Sequence, residues 1–202
     1  MEINILNIEN ISENIISEVS TKLPLRYQKA LKFRFPKDYK LSIGASWLIL
    51  KNFKNISESD IYINQYGKPF IINNDNFNIS HSNNYVVFVK SKHTIGIDIE
   101  HITIKNTDIS EKVYQHSEIE WLKKDFLTRF YTLWTQKESV MKATGQGFNL
   151  DPKTFNVLEF QNNKPITINN QNLFCKTIFY NNYAISLCSD FDFKEIELKE
   201  YN

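Results

Sequence analysis

At residues 94–100 the chain has the sequence TIGIDIE, in which apolar and acidic residues alternate after a glycine. This composition predicts a strand, and side chains two positions apart on a strand project to the same face. Asp98 and Glu100 therefore share one face. Two close carboxylates raise each other's pKa, and a divalent cation with oxygen ligands is a common way to offset that charge. An edge strand whose polar face meets water is the alternative, and this pair alone favours neither.

The same stretch lies where the organisation of the chain starts again. A strand, helices, loops and β-rich runs precede it, and a similar succession follows it. No repeat of residue identities is visible, so the duplication is a hypothesis from element order alone. We predict an α+β fold of two similar-sized halves, residues 1–95 and 96–202. The halves should pack tightly, because no long or Pro/Gly-rich linker separates them.

In the first half, hydrophobic periodicity and breaker residues predict the elements. They are an edge strand at 3–8, helices at 25–35 and 41–53, a strand at 77–82, and two β-rich runs at 85–89 and 94–100. The helix at 25–35 is expected to end at Pro36, because the residue before a proline disfavours helical geometry. The two β-rich runs flank residues 90–93 and predict a hairpin.

In the second half, the patterns predict helices followed by a β meander. The ranges are 117–124 and 127–144 for the helices, with glycines 145 and 147 ending the second, and 155–160, 166–168, 174–180 and 183–188 for the strands. Asn181 and Asn182 fit a two-residue turn with positive φ. That turn would place Cys175 opposite Cys188. Two cysteines are too few for a disulfide framework or a Cys-only metal site, and a reducing cytoplasm favours two free thiols even if they are close.

Composition excludes several classes of protein. The chain has 202 residues, of which 42% are hydrophobic and 14% aromatic, enough for a packed core rather than intrinsic disorder. With 24 basic and 23 acidic residues the formal charge is +1, which argues against a nucleic-acid partner bound through net charge. No apolar run approaches a membrane span, and the first residues lack the order of a signal peptide. The expectation is a soluble, cytoplasmic protein without a membrane partner.

The helix at 127–144 carries the next candidate residues. Trp134, Glu138 and Lys142 are spaced four apart and therefore lie on one helix face. A solvated ion pair is the usual meaning of Glu and Lys at this spacing. Together with Asp98 and Glu100, however, Glu138 completes a set of carboxylates suited to Mg²⁺.

Several cations precede these carboxylates in the chain. Each of them is by itself more often a solvated or structural residue; they are Arg26 and Lys29 on a helix, Lys68 in a Gly-Lys-Pro turn, and His81 between Ser80 and Ser82. Taken together with Lys142, they suit a polyphosphate ligand. Carboxylates and cations in combination are what phosphoryl-type transfer needs, because its catalysis is mostly positioning and charge neutralisation. A Walker-type loop is absent from the sequence, which disfavours a nucleotide triphosphatase.

Four segments in this order resemble the motifs of a known family. They are YGKP at 66–69, FNISHS at 77–82, GIDIE at 96–100 and WTQKESVMK at 134–142. The resemblance is to the 4'-phosphopantetheinyl transferases, in their longer Sfp-type branch, and it covers residues 26–147. The chain departs from the family pattern at residues 38–44, where Leu41 stands in the place of a hydroxyl residue found in some members and Ser42 follows it.

The resemblance implies a fold, a reaction and partners. The fold would be a pseudo-dimer of two α/β halves in one chain, each with a small antiparallel sheet, with coenzyme A in the cleft between them and a monomeric state. The reaction would move the 4'-phosphopantetheine group of coenzyme A to a serine of an apo carrier protein, with release of adenosine 3',5'-bisphosphate. Its cofactor would be Mg²⁺.

The resemblance also implies roles for individual residues. Asp98, Glu100 and Glu138 would hold Mg²⁺. Glu138 would act as general base on the serine, and Lys142 would steady the pyrophosphate and assist the leaving group. The phosphates would be contacted by Arg26, Lys29, Lys68, Ser80 and His81, with Lys137 as a weaker candidate. From position alone, Val140, Met141 and the loop at 105–115 are candidates for the carrier-protein surface.

Two other functions remain compatible with the residues themselves. A Mg²⁺-dependent phosphohydrolase or nuclease would use the same carboxylates with water as nucleophile. A non-catalytic binding module would use the acidic strand and the Glu-Lys helix as surface ion pairs. The transferase is favoured because four motifs occur together in order.

Overall fold

The computed structural model describes residues 1–104 and 109–201. Its strands are β1 (Glu2–Asn7), β2 (Ile61–Ile63), β3 (Pro69–Ile71), β4 (Asn76–Ser82), β5 (Tyr85–Ser91), β6 (Ile95–His101), β7 (Ile166–Ile168), β8 (Gln171–Tyr180), β9 (Tyr183–Ser189) and β10 (Glu197–Tyr201). Its α-helices are α1 (Glu13–Lys22), α2 (Pro24–Ala30), α3 (Pro36–Asn52), α4 (Ser110–Val113), α5 (His116–Leu122) and α6 (Phe126–Thr144). Short 3₁₀ helices connect several of them.

The strands form two four-stranded sheets and a small hairpin. The first sheet has the order β10-β1-β5-β4, the second has the order β6-β9-β8-β7, and β2 pairs with β3. Neighbouring strands are antiparallel, except that β1 and β10 are parallel. The predicted mixed α+β fold with small antiparallel sheets is therefore confirmed.

Three strands have the same order in both large sheets. The first strand of each part of the chain, β1 or β6, lies beside β5 or β9, and β4 or β8 lies beyond. The fourth strand differs, since β10 lies outside β1 whereas β7 lies outside β8. A long helix, α3 or α6, follows the first strand in each case.

The core consists of layers. Helices α1 to α3 cover one face of the first sheet, and α5 and α6 cover one face of the second. The other two faces pack against each other through buried aliphatic residues such as Ile5, Val87, Ile97 and Ile185. Burial of each such side chain contributes roughly 1.5–3 kcal/mol. The resulting order of layers is helix, sheet, sheet, helix.

A predicted helix end and a predicted turn are both confirmed. Helix α6 ends at Gly145, whose φ of 71° is left-handed and suits a residue without Cβ. Asn181 and Asn182 both have positive φ between β8 and β9. Cys175 and Cys188 face each other in that pairing as expected, and both are buried.

The predicted hairpin of residues 85–89 and 94–100 is wrong. β5 pairs with β1 and β4, whereas β6 pairs with β9 in the other sheet, so the chain crosses between sheets at residues 92–94. Residues 86–89 and 95–99 are buried without alternation. A strand buried on both faces has no periodicity that could indicate its neighbours.

The prediction that β1 is an edge strand is also wrong. β10 pairs with its outer side in parallel. The aromatic ring of Tyr201 packs edge-on against Trp47 at 5.1 Å, and its hydroxyl donates to Asn4. β10 escaped prediction because its sequence, ELKEY, is mostly charged and lacks an apolar pattern.

A helix boundary and a strand also differ from prediction. α2 ends at Ala30, and Pro36 begins α3 instead of ending the preceding helix. A proline is tolerated in the first turn, where its missing N–H needs no partner. The predicted strand at 155–160 is not formed, and a 3₁₀ helix at Leu158–Asn162 ends at Asn163 in left-handed geometry.

Among the described residues, no helix is both long and apolar enough to cross a membrane.

Candidate active site

β4 and β6 lie side by side at the edges of the two large sheets, and side chains join them. Asn78 Oδ1 accepts from the Ile97 backbone N–H at 2.8 Å. Further along, Ser80 Oγ donates to Asp98 Oδ1, and Ser82 Oγ donates to Glu100 Oε2, both at 2.8 Å. From one bonded pair to the next, the residue numbers increase along both strands, so β4 and β6 run in the same direction. We call this contact the β4–β6 seam.

Helix α6 packs unusually close to the seam at Gly96. A Cβ at this position would lie 2.1 Å from the Ser139 carbonyl oxygen and 2.3 Å from the Ala143 nitrogen. Only glycine permits this approach of helix backbone to strand backbone. The close packing brings Glu138 and Lys142 to the carboxylates of β6.

Asp98 is the most buried acid of the group, with 3% of its surface exposed. Its Oδ1 accepts from Lys142 Nζ at 2.6 Å as well as from Ser80. Its Oδ2 is buried and has no hydrogen-bond partner among the described residues. A buried carboxylate oxygen without a partner is costly, so this atom is available to a cation.

Burial and mutual repulsion raise the pKa values of the two neighbouring acids. Burial raises the pKa of Glu138 to about 7, with the charge of Asp98 as the second cause. The pKa of Glu100 is also raised, first by burial and then by Asp98. Hydrogen bonds from Ser82 and Trp134 to Glu100 oppose that rise. The site therefore holds more negative charge than Lys142 alone neutralises.

The pKa values of Lys142 and His81, which lie next to the acids, are shifted in opposite directions. Burial lowers the pKa of Lys142, but attraction to Asp98, Glu138 and Glu100 outweighs it, so the pKa is raised overall. The pKa of His81 is lowered, first by desolvation and then by the charge of Lys142. Lys142 is therefore held as an ammonium, whereas His81 favours the neutral imidazole.

The acids fit a magnesium ion in donor type and charge. Carboxylate oxygens are the ligands that this hard cation prefers, and Asp98 Oδ2 lacks another partner. As the side chains stand, no three His, Cys, Asp or Glu residues in the described ranges converge as a metal cluster. Lys142 instead lies against the other oxygen of Asp98, Oδ1.

A cavity of 210 Å³ opens beside Lys142. Its walls come from both parts of the chain: the loop at 66–69, Asn78 and Ile79 of β4, and Met141 of α6. The cavity thus connects the seam with the loop that carries the YGKP motif.

Comparison with known proteins identifies the family. A model of the 4'-phosphopantetheinyl transferase superfamily matches residues 94–188. The 4'-phosphopantetheinyl transferase gsp of Aneurinibacillus migulanus is 33% identical over an alignment of 200 positions, and the alignment includes 90% of this chain and 82% of that protein. The chain belongs to the 4'-phosphopantetheinyl transferase family. The 4'-phosphopantetheinyl transferase Sfp of Bacillus subtilis strain 168 is 29% identical over 157 residues, covering 72% and 69% of the two chains. The predicted resemblance is therefore confirmed, and the chain is a transferase.

In this transferase, Lys68 makes contacts that the sequence did not indicate. Its ammonium donates to the carbonyl oxygens of Ile95 at 2.9 Å and Ala143 at 3.1 Å. Burial lowers its pKa to about 8. Asn64 on the same loop donates to the Gly145 carbonyl, so the loop caps the C-terminal end of α6. A phosphate contact by Lys68 would require its present bonds to be exchanged, and the contact remains a prediction.

Arg26 and Lys29 lie on α2, which packs mainly against α1, α3 and the 3₁₀ helix at Glu58–Asp60. The Arg26 guanidinium is half-buried and pairs with Glu58, with Nε 3.7 Å from Oε1. Lys29 is exposed on the same helix. Their phosphate contacts also remain predictions. Ser42 lies within α3, where its carbonyl accepts from Ser46.

Lys137 of the transferase is a structural residue. It is 1% exposed and its ammonium lies 3.0 Å from Glu118, which is fully buried. It also donates to the carbonyl oxygens of Pro152 and Phe155, both at 2.7 Å. These contacts fix the turn of α6 that carries Glu138, and they leave no donor directed at the seam.

Trp134, Asn78 and Ser82 are site residues whose roles the sequence analysis did not predict. Trp134 donates to Glu100, and the two β4 residues bond to β6. The spacing of four between Trp134 and Glu138 was a signal that this ring faces the acids. No local signal was available for the β4 residues, because the seam joins strands of different sheets.

Proposed function

We propose that the protein transfers the 4'-phosphopantetheine group of coenzyme A to a serine hydroxyl of an apo carrier protein. The other product would be adenosine 3',5'-bisphosphate. The observation that carries the proposal is the cluster of Asp98, Glu100, Glu138 and Lys142 at the β4–β6 seam, in a chain that belongs to this family.

The proposed chemical step uses Glu138 as general base. The serine oxygen forms a bond to the β-phosphorus of coenzyme A, and the bond from that phosphorus to the bridging oxygen breaks. Glu138 takes the serine proton, and a carboxylate with a pKa of about 7 can accept and release a proton near neutral pH. The bridging oxygen leaves with adenosine 3',5'-bisphosphate.

Lys142 would stabilise the charge that develops on the leaving group. Its pKa is raised, so it stays an ammonium over the neutral range, and it lies beside Asp98 at the seam. Ser80 and His81 would orient the phosphates, since Ser80 already donates to Asp98 at the same place. Arg26, Lys29 and Lys68 would add cationic contacts after rearrangement.

Asp98, Glu100 and Glu138 would hold Mg²⁺. The ion would neutralise phosphoryl oxygens during the transfer. The unpartnered Oδ2 of Asp98 and the raised pKa values of both glutamates support this assignment, because a cation would relieve each of them.

The repeated strand order supports a pseudo-dimer of residues 1–95 and 96–202, with coenzyme A in the cleft at their junction. Since one chain would then supply the whole cleft, we propose a monomer. Residues 105–108 of the suggested carrier-protein loop lie outside the described residues. A cytoplasmic location suits the two buried free thiols.

The test is the intact mass of an apo carrier protein after incubation with the protein, coenzyme A and Mg²⁺. We expect a gain of one phosphopantetheine group, lost with Glu138→Gln and kept with the exposed control Glu120→Gln. Release of adenosine 3',5'-bisphosphate without carrier protein would identify a phosphohydrolase instead. Absence of coenzyme A binding would indicate a non-catalytic binding module.

A further inference from the structure

Strand β8 has one edge that is largely uncovered. It runs from Gln171 to Tyr180, and β9 pairs with it along one side. On the other side, β7 pairs only with Gln171–Leu173 in the described parts of the chain. The edge at residues 174–180 therefore presents backbone donors and acceptors to its surroundings, as edge strands do.

A cavity lies on each face of the sheet next to this edge. The larger, of 420 Å³, is on the α6 side and includes Arg129, Phe160, Thr177 and Phe179. The smaller, of 170 Å³, is on the opposite side and includes Lys164, Lys176, Asp192 and Lys194. Both cavities reach Asn163, Cys175 and Lys176, so they meet at the edge itself.

This geometry matches the requirements of strand addition. A peptide that adds to a sheet edge bonds through its backbone, and its side chains point alternately to the two faces. Successive side chains of such a peptide would enter the larger and the smaller cavity in turn.

The charges at the edge define the chemistry of the peptide. The smaller cavity has three lysines against one aspartate, so it suits acidic side chains. In the larger cavity the Arg129 guanidinium lies 4.2 Å from the centre of the Trp121 ring, next to Phe160 and Phe179. Lys176 and Asp125 also line this cavity, so its charge is less one-sided than that of the smaller cavity. Its aromatic walls and the Arg129 cation suit a bulky side chain.

We propose that the β8 edge binds an extended acidic segment of a partner protein by strand addition. A second copy of this chain fits less well, because pairing two β8 edges would bring their lysine-rich cavities together. A lysine in the middle of an edge, here Lys176, is also a known device against self-pairing.

The proposal does not depend on the transferase reaction. Gln136 lines the larger cavity, whereas Glu138 faces the acids of β6. Residues two apart on a helix point about 200° apart, so the two sites use different faces of α6. Changes at the β8 edge should leave the proposed catalytic residues intact.

The test selects peptides from a displayed library of random decapeptides against the full chain. We expect selected peptides to carry acidic residues at alternate positions. Their Kd should rise at least tenfold for the double variant Lys164→Glu/Lys194→Glu. The control Lys54→Glu/Lys92→Glu makes the same charge change at exposed lysines elsewhere and should alter Kd less than twofold. Transferase activity should be unchanged in both double variants.

Two further measurements test the binding mode. N-methylation of alternate peptide amides should abolish binding in one register and spare it in the other, because every second amide of an added strand faces the sheet. Hydrogen exchange should show new protection at residues 174–180. The proposal is overturned if acidic peptides are not enriched, if both double variants weaken binding equally, if protection maps elsewhere, or if the chain itself dimerises through β8.

Discussion

At the scale of single residues, the buried carboxylate of Glu138 opposes folding at neutral pH. Its pKa is raised from 4.5 to about 7 in the folded protein, first by burial and then by Asp98. Between these two values the folded state holds a proton that the unfolded state has released. The free energy of unfolding therefore falls as pH rises through this window, and the loss is complete above about pH 7.

The variant Glu138→Gln should remove this loss. In buffer without divalent cations at pH 8, we expect its free energy of unfolding to exceed that of the unmodified protein by about 1 kcal/mol or more. At pH 4 the difference should vanish, because Glu138 is then protonated in both the folded and the unfolded protein. Urea unfolding at the two pH values measures it. An equal difference at both pH values would contradict the raised pKa of Glu138 as its cause.

The buried pair of Lys137 and Glu118 gives a second prediction. Glu118→Gln leaves the lysine charge buried without its carboxylate, which should cost about 3–5 kcal/mol of unfolding free energy. Adding Lys137→Met removes that charge, so the double variant should be more stable than Glu118→Gln alone. Denaturant unfolding of both checks this.

A variant of Lys137 can distinguish a structural role of this residue from a role in phosphate binding. Because its donors are used by Glu118 and two carbonyls, Lys137→Met should leave the KM for coenzyme A within about twofold under conditions where the variant is folded. A much larger rise would mean that Lys137 contacts the phosphates after all.

At the scale of elements, the approach of α6 to β6 sets the geometry of the acids. Gly96→Ala would place a Cβ within 2.1 Å of helix backbone, so the helix must move. We expect a loss of about 3 kcal/mol or more, at the top of the usual range for overpacking, and a large fall in kcat. Gly44→Ala is the matched control, because its Cβ would meet only side-chain ends at 3.2 Å or more. It should change stability by at most about 1 kcal/mol.

Local signals predicted some elements well and others poorly. α6 was predicted to within one residue at its start, because its apolar spacing is long and Gly145 ends it. The carboxylates of Asp98 and Glu100 were correctly placed on one face by the period of a strand. The pairing of β6 with β9, the charged strand β10 and the contacts of Lys68 all depend on residues distant in sequence, for which local periodicity carries no information.

At the scale of the whole molecule, the β4–β6 seam joins the two large sheets beside the acids. Asn78 is 4% exposed, and its side chain satisfies the backbone N–H of Ile97. Asn78→Ala would leave that buried donor without its partner, which should cost about 1–3 kcal/mol. Because Asn78 also lines the cavity beside Lys142, we expect weaker coenzyme A binding.

The control for this variant is on the same strand. Asn76→Ala changes an exposed asparagine whose amide donates to the carbonyl of His93, outside the seam. This variant should change the free energy of unfolding by at most about 0.5 kcal/mol, and it should leave the affinity for coenzyme A unchanged. Urea unfolding and calorimetric titration with coenzyme A measure both variants, and equal effects of the two would contradict a role for the seam.

The strand that covers β1 bears on stoichiometry. Without β10, β1 would have the same edge position in its sheet that β6 has in the other, so a fold with two equal parts would offer two seams. β10 lies against β1 and occupies the position that a second seam would need. One chain should therefore bind one molecule of coenzyme A, and a titration should reach its equivalence point at a molar ratio of one.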